Sequence, residues 1–303
     1  MAFTRRQAGL AAIAGLAAAA APEWASARII LGGKQIDTVS DGYLTLPPEF
    51  VFDGLAPDAL QRVLQRYGIP AGPLRPEVNV TLLRDEDRVV LFDAGAGPGF
   101  QDSAGGLPEA LDAIGVASED VTHVVFTHCH PDHLWGVLDD FDDLMFPEAA
   151  YLMGRREWDY WFDPETAQAI GSSRAAMAAG ARRRMEVLEN RVQLIADGEE
   201  ILPGVAARST PGHTPGHMSF EIRNGSESVL ILGDAVANHH VSFSEPAWPL
   251  GADQDPHAAA ATRLRLLDML AAEKMRLIGY HLPGGGIGRA ERSGSGYRFV
   301  AGA

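Results

Sequence analysis

Hydrophobic and polar positions change period several times along the chain, and each change predicts an element. Residues 29–46 alternate with a period near two, which predicts two short strands with a turn at Leu31-Gly32-Gly33. Residues 78–83 and 88–92 predict a strand pair joined by the acidic turn Asp85-Glu86-Asp87. Apolar runs at 121–127 and 149–153 read as buried strands, the second followed by a helix from Arg155. A short helix is expected over 107–114 and a long Ala/Arg-rich one over 172–189, the latter as a solvated outer layer. Further strands are predicted at 192–195, 205–209, 218–222 and 229–232. Asp255 followed by Pro256 marks the start of a helix reaching about residue 272. A last long strand is read over 276–280. Strands alternate with helices in both halves and no linker divides them. The pattern predicts an α/β arrangement of two packed sheets with helices outside.

Two segments stand apart. Residues 47–76 carry prolines at 47, 48, 57, 70, 73 and 76 around one helical stretch at 57–67. This excursion, bearing Phe50, Val51 and Phe52, is read as a packed surface loop. The chain itself opens Met1-Ala2-Phe3-Thr4-Arg5-Arg6-Gln7, continues with an Ala/Leu/Gly/Ile run, and reaches Trp24-Ala25-Ser26-Ala27. A positive start, a short apolar run and a small-x-small site read as a secretory signal peptide over residues 1–27. The paired Arg5 and Arg6 resemble a twin-arginine signal. The expected catalytic domain is then 28–303, periplasmic or secreted.

Composition narrows the function. The 303 residues carry 40 acidic and 25 basic side chains, a net charge of −15. Such a surface repels phosphate backbones, so nucleic acid is not an expected partner. After signal cleavage no run approaches the roughly 18 to 20 apolar residues of a membrane helix, and no stable membrane insertion is expected. The expected partner is a small-molecule substrate, and a homodimer is left open. Cys129 is the single cysteine, so no intrachain disulfide can form.

The richest chemistry lies in Thr127-His128-Cys129-His130-Pro131-Asp132-His133, directly after a predicted buried strand. Residues two apart on a strand end face the same way, so His128 and His130 converge while Cys129 points elsewhere. Pro131 turns the chain and returns Asp132 and His133. Three imidazoles and a carboxylate suit a borderline divalent metal such as zinc. Three weaker features follow in the sequence. They are Thr210-Pro211-Gly212-His213-Thr214-Pro215-Gly216-His217, Leu230-Ile231-Leu232-Gly233-Asp234 and Ile278-Gly279-Tyr280-His281. Each ends a strand on a potential ligand. His217 is read as orienting its loop, His239 and His240 as exposed polar residues, and Cys129 as a small buried one.

With these motifs in this order, the sequence resembles the metallo-β-lactamase superfamily, and the H-x-H-x-D-H motif carries the resemblance. The resemblance implies a four-layer αββα sandwich. It also implies two divalent metal ions, zinc by default, with iron, manganese or cobalt suited to the same donors. His128, His130 and His213 would hold one ion, Asp132, His133 and His281 the other, and Asp234 would bridge them. Asp93 matches the family's structural strand-end Asp. A metal-bridging hydroxide oriented by Asp132 and Asp234 would attack the substrate. An Asp at 234 points away from the zinc β-lactamases proper, which carry Cys. His130 stands where flavo-diiron oxidoreductases carry Glu.

The chain looks most like the methyl parathion hydrolase and quorum-quenching lactonase branch. Three local matches favour the first of these: Ser40-Asp41-Gly42, Phe146-Pro147 before a strand leading to Trp161, and Gly286-Ile287-Gly288 with Gly296-Tyr297-Arg298-Phe299 after His281. Trp161 matches a pocket-lining Trp of that branch, and Trp135 is expected at the pocket mouth. Ala237 stands where the lactonases place a Tyr that assists the substrate carbonyl. The resemblance implies lactone or aryl-ester hydrolysis first and phosphotriester hydrolysis second. β-Lactam hydrolysis, a glyoxalase-type thioesterase and a non-catalytic metal-binding module rank lower.

Overall fold

The computed structural model describes residues 25–302. The expected signal peptide therefore lies outside the described residues, except for its last three. Seven strands from the first part of the chain form one sheet, in spatial order β1 (Ala25–Leu31), β2 (Lys34–Tyr43), β3 (Glu77–Asp85), β4 (Arg88–Phe92), β5 (His123–Phe126), β6 (Ala150–Gly154) and β7 (Val192–Ile195). Neighbours are antiparallel from β1 to β4 and parallel from β4 to β7. The second sheet also has seven strands: β8 (Glu200–Leu202), β9 (Val205–Ser209), β10 (Met218–Asn224), β11 (Glu227–Ile231), β12 (Arg276–Ile278), β13 (Ile287–Ser293) and β14 (Gly296–Ala301). Only the β11–β12 pair is parallel there. The expected long strand at 276–280 is the three-residue β12, and the hairpin β13–β14 follows it. The hairpin escaped the hydrophobic pattern because it carries the exposed residues Glu291, Arg292 and Arg298.

Strand alternation explains the layers. Val90 and Phe92 of β4, Val125 of β5 and Leu152 of β6 pack against Phe220, Ile222 and Val229 of the opposite sheet. The rings of Phe92 and Phe220 lie 5.4 Å apart between the sheets. The intervening residues Leu91, Val124, Phe126, Tyr151 and Met153 face a helical layer instead. That layer contains α3 (Leu107–Ala113), α5 (Arg155–Phe162) and α7 (Ala175–Leu188). α7 is half solvated as expected, but Ala178, Ala181, Met185 and Leu188 bury its inner face. On the other side α9 (Pro256–Glu273) places Leu266, Leu267 and Leu270 on the second sheet. Its cap is the one the sequence predicts, since the Asp255 side chain accepts from the Ala258 N–H. The order is helix, sheet, sheet, helix.

The excursion at 47–76 holds α1 (Pro48–Val51) and α2 (Pro57–Arg66). Val51, Phe52 and Val63 pack against Val241 and Leu250, beside α8 (Val241–Ser244). Two other short α-helices among the described residues are α4 (Pro131–Leu134) and α6 (Thr166–Ala169). No helix among the described residues is long and apolar enough to cross a membrane.

Candidate metal centre

Each side chain of the candidate centre sits just beyond a strand. β4 ends in Asp93, β5 in the 128–133 motif, β11 in Gly233-Asp234, and β12 in the segment reaching His281. The turn from β9 to β10 supplies His213 and His217. Because β4 and β5 are parallel, as are β11 and β12, their residues arrive at the same end of the sandwich. Pro131 opens α4, so Asp132 and His133 turn back toward His128 and His130. Cys129 points away, with Sγ 3.5 Å from Met153 Sδ in the helical-side core.

The seven residues implied as ligands lie together. His128, His130 and His213 form one group of converging donor atoms, and Asp132, His133 and His281 form another. His128, His133 and Asp234 form a third, each group spanning no more than 4.8 Å. Asp234 reaches both sides, with Oδ2 3.3 Å from His213 Nε2 and 3.3 Å from His281 Nε2. Its Oδ1 lies 3.4 Å from His133 Nε2. His128 Nε2, His133 Nε2, Asp132 Oδ2 and Asp234 Oδ1 are buried without a hydrogen-bond partner. Buried polar atoms are normally satisfied, and four orphans facing one another fit cations held between them. The N/O donor set suits zinc and its neighbours.

The rings are held from behind. Asp93 Oδ2 lies 2.8 Å from His133 Nδ1, and Asp93 Oδ1 accepts from the Thr127 N–H at 2.7 Å. Asp93 adopts φ 69°, a left-handed conformation uncommon outside glycine. His281 Nδ1 donates to Glu77 O at 2.7 Å. The Tyr280 hydroxyl donates to Asp132 O at 2.6 Å. His217 Nε2 accepts from the Asp234 N–H at 3.0 Å, and its Nδ1 pairs with Thr210 Oγ1 at 2.8 Å. His217 thus steadies the Asp234 backbone from the outside. Gly233, at φ 52°, allows this approach, since a Cβ there would meet His217 Nε2 at 2.7 Å.

The electrostatics divide the histidines into two kinds. Burial, then neighbouring imidazoles, push His128 and His130 well below the usual histidine range, so both rings are neutral. Neutral imidazole is the metal-binding form. Burial alone would also lower His281, but Asp234 and Asp132 outweigh it and hold the ring up at about 10. Burial would raise Asp132 and Asp234, yet His133 and His281 keep both carboxyls below their ordinary range.

Residues 75–281 match the sequence model of the metallo-beta-lactamase superfamily. The chain belongs to that superfamily. The uncharacterized protein YobT of Bacillus subtilis (strain 168) is 34% identical over 159 residues, covering 52% of this chain and 61% of its own. The N-acyl homoserine lactonase AiiA of Bacillus thuringiensis subsp. kurstaki is 27% identical over 166 residues, 54% of this chain and 57% of its own. The chain thus spans less than two thirds of these relatives. Among solved structures, AidC, a dizinc quorum-quenching lactonase, superposes with a TM-score of 0.85 at 23% identity, covering 91% of this chain and 97% of its own. The hydrolase AbOPH gives 0.83 at 26% identity, covering 90% of this chain and 96% of its own.

Beside the centre of this superfamily member lies a cavity of about 480 Å³. Its floor includes His130, Asp132, His213, Asp234 and His281. Leu46, with Phe50, Ile69 and Leu74 of the excursion, forms one wall, with Phe100 and Met177 nearby. The excursion is therefore a wall of this cavity as well as a packed loop. Asn238, His239 and His240 line the cavity too. The two histidines are not the exposed residues expected from their polarity. Tyr67 packs edge-on to both, and Phe52 to His240. Burial lowers both rings, His240 to about 3.

The two tryptophans expected at the pocket lie elsewhere. Trp161 is 1% exposed and does not line the cavity. Its indole N–H donates to Glu157 Oε1 at 2.6 Å, and its ring sits edge-on to His130 at 5.7 Å. Trp135 stands behind Phe100, 5.5 Å between ring centroids, with the Arg184 guanidinium 4.3 Å above it. Both are packing residues. Sequence reasoning also passed over Asp253 and Glu157, which hold ligand loops and sit outside any ligand motif.

Proposed function

We propose that this chain is a di-metal hydrolase that opens lactones or cleaves aryl esters. Its metal positions are His128, His130 and His213 on one side, and Asp132, His133 and His281 on the other, with Asp234 between. The observation that carries the reading is the set of four buried, partnerless donor atoms, two of which, on Asp132 and Asp234, belong to residues on the floor of an apolar-walled cavity. Two bound divalent ions would polarise the scissile carbonyl and lower the pKa of an attacking water. Zinc is the ion proposed, in keeping with the dizinc lactonase AidC.

The chain's own residues do the rest. Asp132 and Asp234, the two carboxylates of the centre, orient the nucleophile and accept its proton. The apolar wall excludes water and receives the acyl or aryl group. Ala237 offers no hydroxyl, so the polar contact to the substrate carbonyl falls to His239, a neutral imidazole on the same cavity. Lactones rank first because relatives such as AiiA are N-acyl homoserine lactonases. Phosphotriesters are the second reading, since the same centre suits in-line attack at phosphorus.

The test is a hydrolysis panel on the zinc-loaded protein, spanning N-acyl lactones, aryl esters, phosphotriesters and a chromogenic β-lactam. Lactone or ester turnover at least tenfold above the others supports the reading, and β-lactam preference rejects it. Export is part of the proposal. Replacing Arg5 and Arg6 with Lys should strand the precursor in the cytoplasm, and undisturbed delivery would point to the general secretory route.

A further inference from the structure

Glu157 is a fully buried carboxylate that the proposed chemistry does not use. No Lys or Arg among the described residues pairs with it; its hydrogen bonds come from four neutral donors. Oε1 accepts from the Cys129 N–H at 2.9 Å and from the Trp161 indole at 2.6 Å. Oε2 accepts from the Thr214 hydroxyl at 2.8 Å and from the Gly216 N–H at 3.0 Å. Burying a carboxylate without a counter-ion is expensive, and only such donors make it tolerable. A site that merely filled space would be better served by an apolar side chain.

The donors come from two separate places. Cys129 lies between the ligands His128 and His130, whereas Thr214 and Gly216 lie between His213 and His217. One carboxylate therefore ties the first ligand loop to the second. The approach is closest at Gly216, where a Cβ would fall 2.1 Å from the Glu157 nitrogen. The Trp161 ring, fixed through the same carboxylate, packs on His130.

We infer that Glu157 is a positioning residue that sets the spacing of His128, His130 and His213, and so the affinity of that metal position alone. This rests on the di-metal reading above. The other position has its own supports, Asp93 behind His133 and Glu77 O behind His281. A glutamine at 157 would turn an NH2 toward two existing donors. Its oxygen could keep Cys129 and Trp161, or Thr214 and Gly216, but not both pairs.

The experiment counts zinc per chain after dialysis against graded chelator. Glu157→Gln is made in a His281→Ala background, which spoils the second position, and in a His213→Ala background, which spoils the first. With His281→Ala it should weaken zinc retention about 10 to 100-fold, the usual scale for outer supports of a ligand. With His213→Ala it should change nothing. Thr214→Val removes one donor without disturbing the carboxylate, and should shift retention the same way by less. It keeps the test open if Glu157→Gln does not fold. Equal weakening in both backgrounds, or none in either, overturns the inference while the di-metal reading stands. An unsubstituted chain that binds fewer than two ions at saturation overturns both.

Discussion

Asp253 Oδ1 lies 2.9 Å from Nδ1 of His213, although 40 residues separate the two in sequence. The link is held from both sides. Asp253 Oδ2 faces the buried Arg263 guanidinium at 3.4 Å, and Arg263 also donates to Pro246 O and Trp248 O. The Gln254 and Asp255 N–H groups donate to His213 O and Gly212 O, so the segment is laced to the ligand loop. A hydrogen bond at Nδ1 fixes the tautomer that leaves Nε2 free for a metal. Asp253→Ala should lower zinc affinity about 10 to 100-fold. It should also cost about 1 to 3 kcal/mol of stability, because a partner of buried Arg263 is lost. Asp253→Asn keeps an oxygen for His213 and should lose less affinity. Zinc dialysis and urea unfolding separate the two effects.

Asp234 and His217 touch through a backbone hydrogen bond but should fail differently. Asp234 faces both metal positions, while His217 only braces its N–H. Asp234→Asn should abolish hydrolysis and release zinc from both positions. His217→Ala should leave two ions and reduce kcat/KM about 10 to 100-fold. Zinc content measured beside kcat/KM checks this, and equal losses at both positions would refute the division of roles.

Trp161 belongs to the core, so its truncation should read as a stability change. Trp161→Ala should cost about 3 to 5 kcal/mol of folding free energy. Its residual activity should fall alike for large and small substrates. Trp161→Phe should retain the ring contact with His130 and lose only the hydrogen bond to Glu157. A KM increase confined to ring-bearing substrates would instead return Trp161 to the pocket wall.

The error over Trp161 shows where sequence patterns stop. Trp158, Tyr160, Trp161 and Phe162 share one helix, and periodicity marks an apolar face without saying which neighbour it meets. The facing residue is Glu157, one turn earlier, which reads as a surface charge within Arg155-Arg156-Glu157. His239 and His240 misled for a similar reason. Their burial depends on Tyr67 and Phe52, which lie more than 170 residues away in sequence. The clustering of the candidate ligands was legible because strand ends impose their own geometry. His128 and His130 are two apart after a buried strand, and Asp234 follows an apolar run. The turn Asp85-Glu86-Asp87 and the Asp255-Pro256 cap were legible because each rule acts within a few residues.

His240 makes the fold sensitive to acid. Burial holds its folded pKa at about 3, below the ordinary histidine value of 6.5. The unfolded chain therefore takes up the proton first as pH drops through 6.5. The ring's contribution to stability is whole above that pH and is lost progressively toward pH 3. By pH 5.5 the loss should be about 1.4 kcal/mol. His240 Nδ1 accepts from the Val241 N–H at the start of α8. Asparagine keeps an acceptor there without titrating. In His240→Asn, the stability difference between pH 7.5 and pH 5.5 should shrink by about that amount in denaturant unfolding. An unchanged difference would mean that His240 takes up its proton at the same pH in the fold as in the unfolded chain.

The excursion should set chain-length preference through its apolar wall. Leu46, Phe50 and Ile69 face the cavity from one side, and Phe100 faces it from another. None of them supplies a donor atom to the metal centre. An acyl chain of six or more carbons would bury its methylenes against these side chains, each worth about 0.8 kcal/mol when fully buried. A short chain cannot reach them. Ile69→Ala or Phe100→Ala should therefore raise KM for long-chain lactones by roughly tenfold, near the scale of one or two lost methylene contacts. The same variants should leave acetyl esters and zinc content unchanged. His239→Ala, on the polar side of the cavity, should lower kcat for long and short lactones alike. The comparison separates apolar binding, which scales with chain length, from help at the carbonyl, which does not. A uniform loss in the wall variants would mean that the excursion holds the centre together and does not select its substrate.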